Sequence, residues 1–173
     1  MKLNLGCGTS KLPGFINCDA DAALNPDVVV DLLKPLPFED ASVDYIVMAH
    51  VIEHISEWHQ QTLLFELSRI LKLDGELVLA YPEFKKCAQN YIDNYQGKRA
   101  FWKATIYGRQ LTEWDKHVTL MDTDVFMVLL REHGFVDMHS AEEPGEPYNT
   151  VLRAKKGPRL ISYEEAIAQE FFT

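Results

Sequence analysis

The feature that most constrains this chain is a glycine turn set between two short apolar runs near its start. Leu3-Asn4-Leu5 meets Gly6-Cys7-Gly8, and Phe15-Ile16-Asn17-Cys18 ends on an acid, Asp19. The pattern predicts strand, glycine loop, strand, carboxylate. Without a Cβ, Gly6 and Gly8 let the backbone bend sharply and approach a ligand closely. In open α/β sheets, ligands bind outside the carboxyl ends of the strands, where Asp19 would sit. A carboxylate there can accept hydrogen bonds from a ribose diol. The glycines alone would suit an ordinary turn between two buried strands. The acid at the next strand end is what points to a nucleoside site.

A dinucleotide fingerprint, G-x-G-x-x-G, needs a third glycine so that the following helix packs close to the strand. Lys11 stands at that position and the next glycine is Gly14. A pyrophosphate cradle, and with it a nicotinamide-dependent oxidoreductase, is therefore disfavoured. An adenosine ligand without phosphates, such as S-adenosylmethionine, fits better.

Four pieces in order carry a family resemblance: Leu-Asn-Leu-Gly-Cys-Gly, then Asp19, then Leu36-Pro37-Phe38-Glu39-Asp40-Ala41-Ser42-Val43-Asp44, then Val51-Ile52-Glu53-His54-Ile55. Together they resemble the class I S-adenosylmethionine-dependent methyltransferases, in the small methyltransferase type 11 branch. The resemblance is strong over residues 2–82 and weak onward to about residue 156. It implies an α/β, three-layer Rossmann-like methyltransferase fold, with a mostly parallel seven-stranded sheet whose last strand pair is antiparallel. It also implies S-adenosyl-L-methionine as cofactor. Leu5, Gly6, Cys7 and Gly8 would lie under its methionine part and Asp19 at its ribose. Asp31 and Leu32 would lie beside the adenine, and Ala49 and His50 near the sulfonium. The other reading of Asp31 is a turn acid at a strand end. One departure stands out. Parallel strands normally need a crossover of a dozen or more residues, usually a helix, whereas only residues 7–14 are available here, and Pro13-Gly14 breaks any helix. One face of the sheet is expected to be thinly covered there.

A length of 173 residues suits one domain with a real core, and 47% hydrophobic with 25% charged residues is ordinary for a soluble globular chain. The net charge of −9 repels phosphate backbones, so nucleic acid is not the expected partner. Lys98, Arg99, Lys103 and Arg109 form a local basic group, read as a solvated face. Cys7, Cys18 and Cys87 contain no C-x-x-C pair and fit reduced thiols in a cytoplasm. No signal-like leader or membrane-length apolar run is evident.

Along the chain, residues 27–32 read as a buried strand and residues 43–51 as another. Ser56 is a candidate N-cap for a helix whose stripe is Leu63, Leu64, Leu67, Ile70 and Leu71, stopped by Asp74-Gly75. Residues 76–80 form the next strand. Residues 84–121 are aromatic and aperiodic and read as an inserted lid over the sheet mouth, part helix and part loop. Val125, Phe126, Leu129 and Leu130 mark a further helix, and residues 135–140 and 149–154 a terminal strand pair. The methyltransferase-like domain thus spans 1–157. Residues 158–173 form a tail in which Ser162 and Glu165 match a capping box. Its helix is expected either to cover the bare sheet face or to make a homodimer contact.

His50-Val51-Ile52-Glu53-His54 matches H-x-x-E-H, an inverted zinc-protease motif. That motif needs one helix face, and here a strand precedes it and a helix cap follows it, so no metal is expected. His117 and His54 are the candidate catalytic bases, useful if the acceptor is a hydroxyl. Methylases of nucleic-acid bases usually carry an Asn/Asp-Pro-Pro-Tyr/Phe run after the fourth strand. This chain has Ala49-His50-Val51-Ile52 there, which argues for a small-molecule methyl acceptor. The alternative is a catalytically silent cofactor-binding module.

Overall fold

Apolar β-branched and leucine-rich runs place seven strands in one sheet. The computed structural model describes residues 1–158, and the expected tail helix lies outside them. The strands are β1 (Lys2–Leu5), β2 (Ile16–Asp19), β3 (Val28–Val29), β4 (Val43–Ala49), β5 (Leu71–Pro82), β6 (Phe135–Glu143) and β7 (Glu146–Lys156). Their order is β3-β2-β1-β4-β5-β7-β6. The first five run parallel, while β7 pairs antiparallel with both β5 and β6. Because β1, β2, β4 and β5 are parallel, Leu5, Asp19, Ala49 and Pro82 all end at one edge of the sheet, the mouth.

Helix α1 (Glu57–Ile70) packs Leu63, Leu64, Leu67 and Ile70 into the core against Ile46, Met48, Leu77 and Leu79. Burying each such side chain contributes roughly 1.5–3 kcal/mol. Arg69 near its end fastens the proline-rich loop before β4. Its guanidinium donates to the Leu36 and Phe38 carbonyls and to the Glu66 and Asp40 carboxylates.

The β1–β2 link contains no helix, as its length requires. Buried asparagines hold it instead. Asn17 Nδ2 donates to the Leu12 and Phe15 carbonyls and to Asp27 Oδ2. Asn17 Oδ1 accepts from Leu12 N at 2.8 Å and from Asn4 Nδ2 at 3.0 Å. The Cys7 N–H donates to the Cys18 carbonyl at 2.9 Å.

Several local expectations are corrected. The strand expected over residues 27–32 shortens to Val28–Val29, because it sits at the sheet edge with one partner, and Val29 is 57% exposed. Leu71 does not continue the α1 stripe but opens β5, paired with Val43 across a bulge. Ser56 occupies the N-cap position without capping; its hydroxyl meets His59 Nδ1 at 2.8 Å instead. Both terminal strands run longer than expected and turn at Gly145, whose φ is +87°.

Residues 84–121 contain two helices, α2 (Phe84–Ile92) and α3 (Arg99–Tyr107). Trp102 is buried at their junction, with its Nε1 donating to the Tyr95 carbonyl and its ring edge-on to Phe101 and Tyr148. Trp102 is thus the buried centre of the insertion, while Tyr95 and Phe101 beside it stay exposed. The Phe84 N–H donates to the Met121 carbonyl at 2.9 Å, closing the insertion at its base. Helix α4 (Thr123–Glu132) follows, with Phe126 and Leu130 inward.

Candidate functional site: a glycine loop and a histidine cluster

At the mouth, Gly6 and Gly8 both adopt the left-handed region, with φ of +68° and +51°. Gly6 is also pressed against the turn after β4: a Cβ there would lie 2.4 Å from Val51 Cγ2. The loop therefore hugs the β4 end, bringing Gly6 beside the Ala49-His50-Val51 turn. Asp19 closes it from the other side. Its Oδ2 accepts the Gly8 N–H at 2.7 Å and its Oδ1 accepts the Asp21 N–H at 3.0 Å. Each carboxylate oxygen has two acceptor positions, so one on each oxygen remains for a ligand. The sequence anticipates Asp19 at the strand end but not that its carboxylate also fixes the loop.

Cys7 is buried within the turn, and burial pushes its thiol pKa up, so it is a packing residue. Val30 N donates to the Asp19 carbonyl at 2.9 Å, which brings the Asp31-Leu32 segment to the same edge. Asp31 Oδ1 accepts the Leu33 N–H at 3.0 Å, and Lys34 pairs with the other oxygen. These contacts hold the Asp31 carboxyl below its usual range, the backbone bond first. That is turn chemistry; Leu32 packs partly into the core.

His50 takes a φ of +56° and its N–H donates to the Ala80 carbonyl at 2.8 Å. Its Nδ1 lies 3.5 Å from Glu53 Oε1 and its Nε2 3.7 Å from Glu143 Oε2. The Glu53 contact, opposed by burial, raises its pKa. Ile52–His54 forms a 3-10 turn rather than an α-helix, so His50 and His54 do not share the helix face that the inverted zinc-protease motif needs.

The turn instead gathers a different set. The Glu53 carbonyl accepts the N–H groups of Val118 and Thr119, at 2.9 and 3.2 Å. This bonding lays the returning end of the insertion along the turn and brings His117 edge-on to His54, with ring centroids 4.9 Å apart. The two candidate bases thus meet, although they lie far apart in sequence. Burial lowers the His117 pKa, so its imidazole is neutral at pH 7.

Glu53 is 1% exposed, and neither carboxylate oxygen has a hydrogen-bond partner among the described residues. Burying a carboxylate whose only near cationic partner among the described residues is His50 Nδ1 at 3.5 Å costs several kcal/mol, which marks Glu53 as the residue that sequence reasoning missed. The available signal was an acid inside the apolar Val51-Ile52…Ile55 run. A second buried acid, Glu83, is by contrast satisfied by the Thr123 N–H and the Thr123 and Thr150 hydroxyls. A groove of about 670 Å³ between α1 and α4, lined in part by Gln60, Met121 and Leu129, contains none of the mouth residues.

A family model described as a methyltransferase domain, of type 11, matches residues 13–79, a segment that includes Asp19, Asp31 and His50 and begins after the glycine loop. No match was found among curated proteins. Among solved structures, a methyltransferase from Methanosarcina mazei is 18% identical with a TM-score of 0.64, covering 91% of this chain and 92% of its own. A possible histamine N-methyltransferase from Thermotoga maritima is 19% identical with a TM-score of 0.63, covering 90% and 81%. The CurJ carbon methyltransferase is 18% identical with a TM-score of 0.64 over 90% of this chain, which spans about half (48%) of that longer protein. Residues 13–79 thus match a methyltransferase domain of type 11, and the fold is that of S-adenosylmethionine-dependent methyltransferases, so S-adenosylmethionine is the expected cofactor.

Proposed function

We propose that the chain transfers a methyl group from S-adenosylmethionine to a small-molecule acceptor. The observation that carries this reading is Asp19, held on the Gly8 N–H at the mouth with acceptor capacity to spare. In this reading the Gly6-Cys7-Gly8 backbone receives the methionine end and Asp19 the ribose hydroxyls. Asp31 and Leu32 flank the adenine, and Ala49 and His50 the sulfonium. The acceptor's lone pair attacks the methyl carbon, the C–S bond breaks, and S-adenosylhomocysteine leaves with the electron pair. Such a step depends chiefly on alignment of nucleophile, methyl and sulfur. For a hydroxyl acceptor, His117 or His54 takes the released proton in the metal-free chain.

Residues 84–121 serve as a wall or lid on the acceptor side, with their aromatic cluster reaching Tyr148 on β7. The acidic chain and the Ala49-His50-Val51-Ile52 run after β4 support a small acceptor over a nucleic acid. No helix among the described residues is long and apolar enough to cross a membrane.

The test is release of S-adenosylhomocysteine over a panel of amines, phenols, thiols and carboxylic acids. Turnover on a panel member, reduced in Asp19→Ala, supports the reading. Tight cofactor binding without turnover on any of them favours a silent binding module.

A further inference from the structure

We propose that Glu53, His54 and His117 form a binding site for a divalent transition-metal ion, zinc being the ion this ligand set suits best. One ligand atom from each of the three lies within 4.8 Å of the others. Two imidazoles and a carboxylate are a recurrent zinc set that leaves one coordination position open. Metal bonds of about 2.0–2.1 Å imply ligand atoms roughly 3.4 Å apart in a tetrahedron, so binding needs a modest inward turn of the side chains.

Two observations beyond the cluster itself point to an ion. Both Glu53 oxygens are buried without a hydrogen-bond partner among the described residues, and a metal would satisfy them. The His54 Nδ1 is 2.9 Å from the Lys116 carbonyl, which fixes the proton there and leaves Nε2 as the free lone pair. A ring nitrogen anchored on a backbone carbonyl is the usual support of a metal-ligating histidine.

The ligands are brought together by the backbone. The 3-10 turn Ile52–His54 presents two of them, and the Val118 and Thr119 N–H groups on the Glu53 carbonyl set the third beside them. An ion here would fasten the returning end of the insertion to the turn after β4. In the loaded site both imidazoles are ligands rather than bases. The open position then takes an oxygen or nitrogen of a water or of the methyl acceptor. The other trio at this edge, His50, Glu143 and Glu146, is more exposed, and both its carboxylates already accept from Asn149 Nδ2.

The experiment uses the tag-free full chain, stripped with a chelator and titrated with Zn²⁺ against a chromophoric competitor, with Co²⁺ as the spectroscopic probe. One equivalent should bind with a sub-micromolar Kd, and the cobalt form should show visible d–d bands of a four- or five-coordinate site. His117→Ala and the near-isosteric Glu53→Gln should each weaken binding about 100-fold or more, since even outer-shell partners contribute 10–100-fold. Glu143→Gln should bind as wild type. Circular dichroism establishes that each variant is folded, and Glu53→Gln stands in if His117→Ala is not. Failure of the wild-type chain to bind one equivalent overturns the proposal. So does unweakened binding in either ligand variant, or loss of binding in Glu143→Gln.

Discussion

The backbone N–H of Gly8 donates to Oδ2 of Asp19 at 2.7 Å, so the end of β2 holds the loop that leaves β1. The carboxylate that would bind ribose is the same one that shapes the glycine turn, and substitution there should change stability and binding together. Asp19→Ala removes the acceptors for Gly8 and Asp21 and should lower stability by about 1–3 kcal/mol. It should also weaken S-adenosylhomocysteine by about tenfold to several hundredfold. Asp19→Asn keeps one acceptor oxygen and should fall between. Calorimetric titration of the three proteins checks the order, and an Ala variant that binds like wild type would remove Asp19 from the ribose site.

Gly6 is constrained twice, by its φ of +68° and by Val51 Cγ2, 2.4 Å from where a Cβ would sit. Gly6→Ala should lose about 1–3 kcal/mol from strain and overpacking. Adding Val51→Ala relieves the overlap and leaves the φ strain, so the two losses should be less than additive in urea unfolding. Strict additivity would show that the contact does not matter.

Asn17 stands in for the missing crossover helix. Asn17→Ala leaves the Leu12 N–H and Asn4 Nδ2 without their Asn17 acceptor, and the Phe15 carbonyl without its Asn17 donor. A loss of about 1–3 kcal/mol is expected, with weaker S-adenosylhomocysteine binding as the loop loosens. A change within about half a kcal/mol, as at ordinary surface positions, would contradict this account of the link.

Asp27 supplies a pH signature of the same network. The Asn17 N–H and side chain donate to its carboxylate and hold its pKa below the usual value, with Lys11 assisting. A folded pKa below the unfolded one, about 3.9, gives stability that is present above that unfolded value. It is lost as pH falls through the folded one. The stability difference between wild type and Asp27→Asn should therefore be full at pH 7 and shrink below about pH 4. Urea unfolding at several pH values measures it, and a difference constant down to pH 3 would contradict the assignment.

The sheet class and the ends of β1, β2, β4 and β5 were legible because apolar runs, glycines and strand-end acids are local signals. The mouth residues Gly6, Gly8, Asp19 and His50 follow from them. Edge position was not legible: the valine run at residues 28–30 reads as a buried strand, yet with a single neighbour only Val28–Val29 pairs. Nor was the role of Asn4 and Asn17, whose partners lie across a loop that follows no period. The meeting of His54 with His117 depends on where the insertion returns to the fold, which only the three-dimensional path of residues 84–121 decides. Those residues leave no long stripe because they fold as two short helices that each bury one residue, Cys87 and Trp102.

The central claim, a cofactor site built from Gly6, Gly8 and Asp19 for an adenosine without phosphates, is tested most directly by calorimetry with two ligands. S-adenosylhomocysteine should bind at one equivalent per chain, and NAD should give no saturable heat at the same concentrations. Saturable binding of NAD with none of S-adenosylhomocysteine would contradict the account.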